Sequence, residues 1–188
     1  MAIATQTLSR LAYLTRDRQS SIKSDLIDGQ VYQMAGASLN HNRIVRTLIG
    51  EFYTHMYDGD CEVLPSDMRV RVDNSYMYPD IVILCDEPDL EDNDVLLNPT
   101  IIIEVLSPST EAYDRGDKSQ KFRTIESLQE YALISQDKAH IEHYIRQDNN
   151  TWIFSEVSSI TGEIRFQTID CALRLADIYR RVNLKATE

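Results

Sequence analysis

The segment that most constrains this chain is the apolar run at 101–106, Ile-Ile-Ile-Glu-Val-Leu. Residues of high β-propensity without apolar–polar alternation predict a strand that other elements cover on both faces. Glu104 lies inside this run, and a carboxylate in such surroundings is costly unless a cation or several hydrogen-bond donors meet it. The run therefore predicts a buried central strand and marks Glu104 as a residue with a special role.

Length and composition favour a single globular domain. The chain has 188 residues, of which 43% are hydrophobic, and this is enough for one well-cored domain. We expect that domain to span 25–188, after a mixed, polar N-terminal arm at 1–24. The longest apolar runs are far below the roughly 20 residues that cross a bilayer, so no membrane association is expected. The cysteines are odd in number and lack a CxxC spacing, which predicts reduced thiols in a cytoplasmic protein: Cys61, Cys85 and Cys171.

Periodicity along the chain predicts an α/β fold of the α+β type, a mixed central sheet flanked by helices. Helices are expected at 38–57, at about 115–127 and at 172–182, and Ser38 or Asn40 is expected to cap the first. Strands are expected at 26–34 with a break near Gly29, and at 68–72, 79–84, 100–106, 131–135, 139–146 and 151–158.

Asp80 and Lys118 join Glu104 as candidate site residues. Asp80 begins a strand-like run, and if that strand pairs with 101–106 the two carboxylates converge on one point. Helical geometry places Lys118 within roughly 20° of the centre of an apolar stripe, so its ammonium is expected to face the sheet. Two carboxylates are hard ligands for Mg²⁺ or Mn²⁺, and a lysine beside them can hold an attacking water or counter charge on a phosphate. The set predicts a metal-dependent phosphodiesterase.

This pattern resembles the PD-(D/E)XK nuclease superfamily, with the lysine moved from position 106 to the following helix. The closer similarity is to the Uma-two family of restriction-endonuclease-like proteins, and it covers roughly residues 25–150. The matching stretches are Asp28-Gly29, Met34-Ala35-Gly36-Ala37-Ser38, His41, Pro79-Asp80, Glu104-Val105-Leu106-Ser107-Pro108-Ser109-Thr110, Asp114-Arg115-Gly116, Lys118 and Glu130-Tyr131. One departure is Phe122, where the family often shows a tyrosine.

The resemblance implies a restriction-endonuclease-like core and catalysis by Asp80, Glu104 and Lys118. It also implies dependence on a divalent metal and a homodimer as the assembly, but it does not identify a substrate. We expect Asp80, Glu104 and the carbonyl of Val105 to hold the metal, and DNA to be the substrate. Glu51 and His41 are possible accessory residues, although an exposed helical glutamate and a polar residue at a helix start are the commoner roles for them.

The net charge of −11 is unusual for a protein that binds nucleic acid, because phosphate neutralisation supplies most of that affinity. Six acidic residues lie within 86–94, which is expected to be a solvated loop because it lacks the spacing of an EF-hand. A locally basic cleft on an acidic protein would still allow nucleic acid to bind. Basic residues cluster in three places outside the acidic segment: Arg69/Arg71, Lys118/Lys121/Arg123 and Arg174/Arg180/Arg181. His140 and His143 are expected to decorate a solvent-facing side of a strand.

The leading hypothesis is an endonuclease that uses direct attack by water, with inversion at phosphorus. Two other classes of function stay open. In one, the domain is a catalytically silent binding or scaffolding module, and Glu104 and Lys118 form a buried ion pair. In the other, the two acids serve a glycosidase, whose carboxyl groups lie roughly 5 to 10 Å apart across a sugar groove. The lysine and the presence of a single tryptophan, Trp152, argue against a glycosidase. The sequence does not distinguish DNA from RNA.

Overall fold

A computed structural model describes residues 4–34 and 36–185. The helices in these ranges are α1 (Arg10–Asp17), α2 (Leu39–Met56), α3 (Glu111–Tyr113), α4 (Ser119–Phe122) and α5 (Leu175–Ile178), and a π-helical turn (Asp114–Lys118) joins α3 to α4. The strands are β1 (Ala4–Thr7), β2 (Ser24–Ile27), β3 (Gln30–Gln33), β4 (Glu62–Pro65), β5 (Arg69–Val72), β6 (Ser75–Met77), β7 (Ile81–Leu84), β8 (Leu90–Glu91), β9 (Val95–Leu96), β10 (Ile101–Leu106), β11 (Glu130–Ser135), β12 (Ile141–Arg146), β13 (Trp152–Val157), β14 (Glu163–Phe166) and β15 (Cys171–Arg174). Across the described ranges, no helix combines the length and apolar character that crossing a membrane requires.

A six-stranded mixed sheet forms the centre, in the order β13-β12-β11-β10-β7-β4. The predicted central strand is confirmed, because β10 pairs in parallel with β11 and antiparallel with β7 and all six of its residues are buried. Side chains alternate along β10, so Ile101, Ile103 and Val105 pack in the core that contains the apolar face of α2. Ile102 and Leu106 pack in a second core on the opposite face, together with Phe122.

A second sheet of seven strands, in the order β1-β3-β2-β6-β5-β9-β8, contributes apolar side chains to this second core. The predicted break near Gly29 is a hairpin turn between β2 and β3, and Asp28 and Gly29 adopt φ angles of 48° and 84°. Two consecutive left-handed residues are what a tight turn of type I′ requires, and glycine meets that requirement without strain.

The N-terminal segment differs from the expected arm at 1–24. β1 pairs with β3, and α1 buries Tyr13 and Leu14 in a third apolar cluster with Tyr76. Residues 4–24 therefore belong to the second sheet and its cover, while residues 1–3 lie outside the described ranges. The strand β1 could not be predicted from the sequence, because it is only four residues long and is stabilised by a partner strand more than twenty residues away.

Two predicted helices are corrected. The helix expected at 115–127 ends at Phe122, and Ile125 and Leu128 continue the buried stripe in turns closed by short-range backbone hydrogen bonds. The helix expected at 172–182 is instead strand β15 followed by the single turn α5. Residues of β15 alternate between buried and exposed because the strand pairs with β14, and this hairpin covers the core above α2.

The expectation of three reduced thiols is also corrected. Cys61 and Cys85 form a disulfide, whereas Cys171 is free and buried. The bonded cysteines directly precede β4 and follow β7, and these strands pair so that Glu62 lies opposite Leu84. Strand pairing thus brings together two thiols that are 24 residues apart in the sequence.

Candidate active site

Strand register places the two predicted carboxylates side by side. β7 and β10 pair so that Ile81 lies opposite Ile103, and one further step along each strand leads to Asp80 and Glu104. The backbone N–H of Asp80 donates to Glu104 Oε2 (3.3 Å), and the N–H of Val105 donates to Asp80 Oδ2 (2.7 Å). Both side chains belong to the face that meets the second core, which is the alternation that the sequence predicts.

Lys118 completes this predicted set. Its Nζ lies 2.9 Å from Glu104 Oε1 and donates to the carbonyl oxygen of Tyr78 at 2.8 Å. The side chain is 4% exposed, so the ammonium faces the sheet as the helical wheel predicted. The local backbone that carries it is a π-helical turn, with Gly116 at φ −93° and ψ −108°, and such turns are frequent at functional sites.

Two further carboxylates lie beside Lys118 and were not among the predicted site residues. Asp25 on β2 and Asp114 at the start of the π-helical turn lie 3.7 Å and 4.0 Å from the ammonium. The Tyr113 hydroxyl donates to Asp25 Oδ2 (2.8 Å), and the Tyr78 N–H donates to Asp25 Oδ1 (2.8 Å). Asp25 comes from the second sheet, about 80 residues before β10, so spacing within a motif gives no sign of it. Asp114 stands within the matching stretch Asp114-Arg115-Gly116 but was not assigned a role in the site.

His41 belongs to this site rather than only to the start of α2. Its Nε2 lies 3.1 Å from Asp80 Oδ2, and both side chains are less than 15% exposed. Ser38 caps the helix, because its side chain accepts the N–H of His41 (3.1 Å), and this fixes the first turn against the sheet. The Nδ1 atom of His41 is buried without a hydrogen-bond partner among the described residues.

The four carboxylates differ in their proton affinity. Burial raises the pKa of Glu104 well above its usual value, with Asp80 and Asp114 adding to the rise and Lys118 opposing it. Burial also raises the pKa of Asp25 and of Asp114, again against the effect of Lys118.

Asp80 and Lys118 have the opposite balance of causes. Burial alone would raise the pKa of Asp80, but the hydrogen bond and charge of His41, together with Lys118, bring it below the usual value. Burial alone would lower the pKa of Lys118, but Glu104, Asp25 and Asp114 raise it. The neighbouring carboxylates therefore favour the charged form of Lys118.

The donor set suits a hard cation. Three carboxylates lie within 4.0 Å of a single ammonium, and Asp80 beside His41 adds a fourth, so carboxylates outnumber the ammonium in the site. Among the described residues, no three His, Cys, Asp or Glu side chains form a complete metal cluster. Two carboxylates are nevertheless sufficient for Mg²⁺ or Mn²⁺ in sites where water and substrate phosphate supply the remaining oxygens.

The site opens into a cleft of about 460 Å³ between the two sheets and the start of α2. Every member of the site lines this cleft: Asp25, His41, Asp80, Glu104, Asp114 and Lys118. Val105, whose carbonyl was expected to join the metal ligands, lines it as well. Ser107 and Thr110 line the same cleft, and their hydroxyls are hydrogen-bonded to each other at 2.9 Å. Glu51 is not near it, since this exposed residue lines a separate groove farther along α2.

Other expected residues lie elsewhere. His143 is buried, not solvent-facing, and its Nε2 lies 2.7 Å from Glu130 Oε2 under the β14–β15 hairpin. His140 contacts the Ser158 hydroxyl at 3.0 Å. The acidic segment 86–94 is not simply a solvated loop, because it contains β8, leads directly into β9, and has carboxylates that contact arginines. We call this cluster the arginine belt: Arg10, Arg18, Arg69 and Arg71 with Asp17, Glu91, Asp92 and Asp94.

Comparison with known proteins identifies the family. Residues 7–175 match the model of the family Uma2, described as "Putative restriction endonuclease". This chain belongs to the Uma2 family. The uncharacterized protein sll1609 of Synechocystis sp. (strain ATCC 27184 / PCC 6803 / Kazusa) is 37% identical over 171 residues, which cover 88% of this chain and 97% of that protein. The uncharacterized protein slr1290 of the same organism is 34% identical over 175 residues, which cover 92% of each.

A solved structure confirms the fold of this Uma2 protein. The crystal structure titled as a putative nuclease belonging to DUF820 from Anabaena variabilis ATCC 29413 superposes with a TM-score of 0.78. The match covers 92% of this chain and 98% of that one, at 15% sequence identity. This match confirms the mixed α/β fold, and the family match over residues 7–175 confirms the predicted family.

Proposed function

We propose that this Uma2 protein is a Mg²⁺- or Mn²⁺-dependent endonuclease that hydrolyses phosphodiester bonds in DNA. The observation that carries the proposal is the convergence of Asp80, Glu104 and Lys118 on the floor of one cleft, in which buried carboxylates outnumber the ammonium. A purely structural cluster would be expected to balance its charges, because an uncompensated buried carboxylate is costly.

Each residue has a role that its contacts support. Asp80 and Glu104 would hold the metal, with the Val105 carbonyl as a further ligand, and the N–H groups of Val105 and Asp80 keep the two carboxylates oriented. When bound, the metal would polarise the phosphoryl oxygens and lower the pKa of a coordinated water. Lys118 would orient the attacking water and offset the negative charge that develops on the phosphate.

Direct attack by water is the mechanism that fits the cleft. The hydroxyls of Ser107 and Thr110 line it, but they are hydrogen-bonded to each other in the turn that ends β10, and Thr110 also hydrogen-bonds to Asp114. Among the described residues, neither hydroxyl contacts a histidine that would act as its base. Inversion at phosphorus is therefore expected, without a covalent intermediate. A homodimer would present two such clefts to duplex DNA, and light scattering in solution tests that assembly.

The test combines metal binding with cleavage. Mn²⁺ and Mg²⁺ are titrated by calorimetry into wild type, Glu104→Gln and Glu51→Gln, with Ca²⁺ as a control ion. We expect saturable binding in wild type and Glu51→Gln and its loss in Glu104→Gln, with the fold retained by circular dichroism. Plasmid DNA, single-stranded DNA and RNA are then incubated with each protein and Mn²⁺. Loss of metal stabilisation of the transition state is expected to reduce the rate by about a thousandfold or more.

The silent-module alternative has one observation in its favour, the 2.9 Å contact between Glu104 and Lys118. It predicts neither saturable metal binding nor cleavage in the folded wild type. Cleavage that survives in Glu104→Gln would contradict the proposed site and point to a contaminating nuclease.

A further inference from the structure

Most cations of this acidic protein are already engaged by its own carboxylates. The arginine belt uses four of them, and further ion pairs join Lys121 to Asp28 and Arg115 to Glu142. Within residues 4–34 and 36–185, Arg46, Arg180 and Arg181 are exposed and belong to the cations that have no carboxylate within 4.0 Å of their nitrogens. In a chain of net charge −11, exposed cations of this kind are informative where several of them lie together.

These three arginines lie together. They line a groove of about 420 Å³ between the middle of α2 and the residues that follow α5, which we call the arginine groove. Two acids also line it, but Asp177 is 2.7 Å from Arg174, so its charge is compensated. Three guanidinium groups therefore face one uncompensated carboxylate, that of Glu51. Gly50 lies in the wall, and no atom comes within 4 Å of the position that a Cβ would take there, so the groove is open at this point.

The chemistry of the groove points to phosphate. Arginine presents a planar fork of donors that matches phosphate oxygens, and charge-assisted bonds of this kind are among the strongest that a surface makes. Like charges held side by side repel each other, and an anion with several oxygens removes that repulsion. A polyanion would also be steered to the groove, because the remainder of the surface is acidic.

The position of the groove relates it to the cleft. The first turns of α2 line the cleft through His41 and Val45, and the other side of the same helix carries Arg46 and Gly50 into the groove. Arg46 follows His41 by five residues, which is about 7.5 Å along the helix axis. One rigid helix thus connects the two features, and a strand whose scissile phosphate lies in the cleft can reach the groove within a few nucleotides.

We propose that the arginine groove binds backbone phosphates of the nucleic-acid substrate on one side of the cut. This inference rests on the proposed function for the identity of the polyanion. It also explains how a protein of net charge −11 holds DNA, since only a local patch of positive charge has to contact the backbone.

Fluorescence anisotropy tests the inference with a labelled DNA duplex, Ca²⁺ in place of Mg²⁺ to prevent cleavage, and KCl varied between about 50 and 200 mM. The groove variant is Arg180→Gln/Arg181→Gln, and Arg46→Gln is examined separately. The matched control, Arg16→Gln/Arg165→Gln, removes the same charge from exposed arginines elsewhere on the surface. We expect the slope of log K against log salt to fall by about one for each groove arginine and to stay unchanged in the control.

The outcomes separate this inference from the proposed function. If wild type cleaves DNA but the groove variant keeps the wild-type slope, or loses no more affinity than the control, the inference is overturned and the nuclease stands. If DNA binding depends on the groove arginines but Glu104→Gln changes neither metal binding nor cleavage, the proposed function fails and the groove remains a nucleic-acid site. Absence of DNA binding by wild type, or a variant that changes only the oligomeric state, overturns the inference.

Discussion

The candidate site in the cleft and the arginine belt are both clusters of buried or half-buried charge, but the two signs of charge are balanced differently in them. The belt sets four arginines against four carboxylates, and its most buried acid, Asp17, receives hydrogen bonds from Arg69, from Tyr78 and from the backbone and side chain of Ser24. The cleft sets one lysine against three carboxylates within 4.0 Å, and a fourth carboxylate, Asp80, lies beside His41. A cluster with equal numbers of cations and carboxylates can join two parts of a fold without leaving a buried charge uncompensated. A cluster with an excess of carboxylates is suited to binding an external cation.

The largest expected effect comes from breaking the belt. Arg69→Met removes a side chain that is 6% exposed and that contacts both Asp17 and Asp94. Removing one partner of a buried pair leaves an uncompensated charge, so we expect a loss of about 3–5 kcal/mol in the free energy of unfolding, measured by urea denaturation. Metal binding by the fraction that stays folded should be unchanged. A loss below about 1 kcal/mol would show that the belt is not structural.

A smaller loss is expected from Lys118→Met, about 3 kcal/mol at neutral pH. The carboxylates left behind already have a raised pKa, so one can take up a proton and limit the cost. A group with a raised pKa contributes stability that is present at low pH and is lost as pH rises through its folded pKa. The deficit of Lys118→Met should therefore shrink as the pH is lowered, in denaturation curves recorded across the acid range.

The double variant Glu104→Gln/Lys118→Met sharpens the comparison. Replacing both partners of a buried pair is often neutral or stabilising by about 1–4 kcal/mol, so the double variant should recover most of the loss of Lys118→Met. The matching pair in the belt, Asp17→Asn/Arg69→Met, should not recover, because Asp17 also accepts bonds from Ser24 and Tyr78. Equal recovery in both clusters would remove the distinction between them.

Tyr113→Phe probes the support of Asp25 in the cleft. The tyrosine hydroxyl donates to Asp25 Oδ2, and a hydrogen bond to a charged group contributes about 1.5–3 kcal/mol. We expect a loss near the lower figure, since the Tyr78 N–H still holds the other oxygen of Asp25. Thermal unfolding measures it, with Tyr144→Phe as the control because no described residue is hydrogen-bonded to that hydroxyl. A larger loss in the control would contradict the assignment.

The smallest effect is expected at the edge of the belt. The Arg18 hydrogen bond, together with Arg69, lowers the pKa of Asp94 below its ordinary value, although burial opposes the shift. A lowered pKa contributes stability that is present above the unfolded pKa and is lost as pH falls through the folded one. Asp94 is 37% exposed and screened by solvent, so Asp94→Asn should cost about 0.5–1 kcal/mol at neutral pH. The difference from wild type should vanish in strong acid, and a difference that persists there would need a cause other than charge.

Much of the cleft was predictable because its signals are local. The alternation of Ile102, Glu104 and Leu106 gives the face of Glu104, and the apolar stripe that includes Phe122 gives the direction of Lys118. Capping by Ser38 and the turn at Gly29 were also predicted, because they depend on neighbouring residues only. Each of these inferences uses a period or a short spacing that the backbone enforces.

Partners from distant segments were not predictable in this way. Asp25 reaches Lys118, Arg69 reaches Asp17 and Cys61 reaches Cys85 only after particular strands have paired. The buried pair of His143 and Glu130 depends likewise on the β14–β15 hairpin that covers it. No spacing encodes such contacts, since each depends on which sheet edge or face a remote segment covers.

The sequence by itself determined the central strand, the shared face of Asp80 and Glu104, and the inward direction of Lys118. Only the tertiary structure decided that Asp25, Glu104 and Asp114 share this lysine, that the N-terminal segment completes the second sheet, and which arginines line one groove. The physical reason is that strand and helix periods are fixed by local backbone geometry, whereas charge balance depends on side chains that long-range packing brings together.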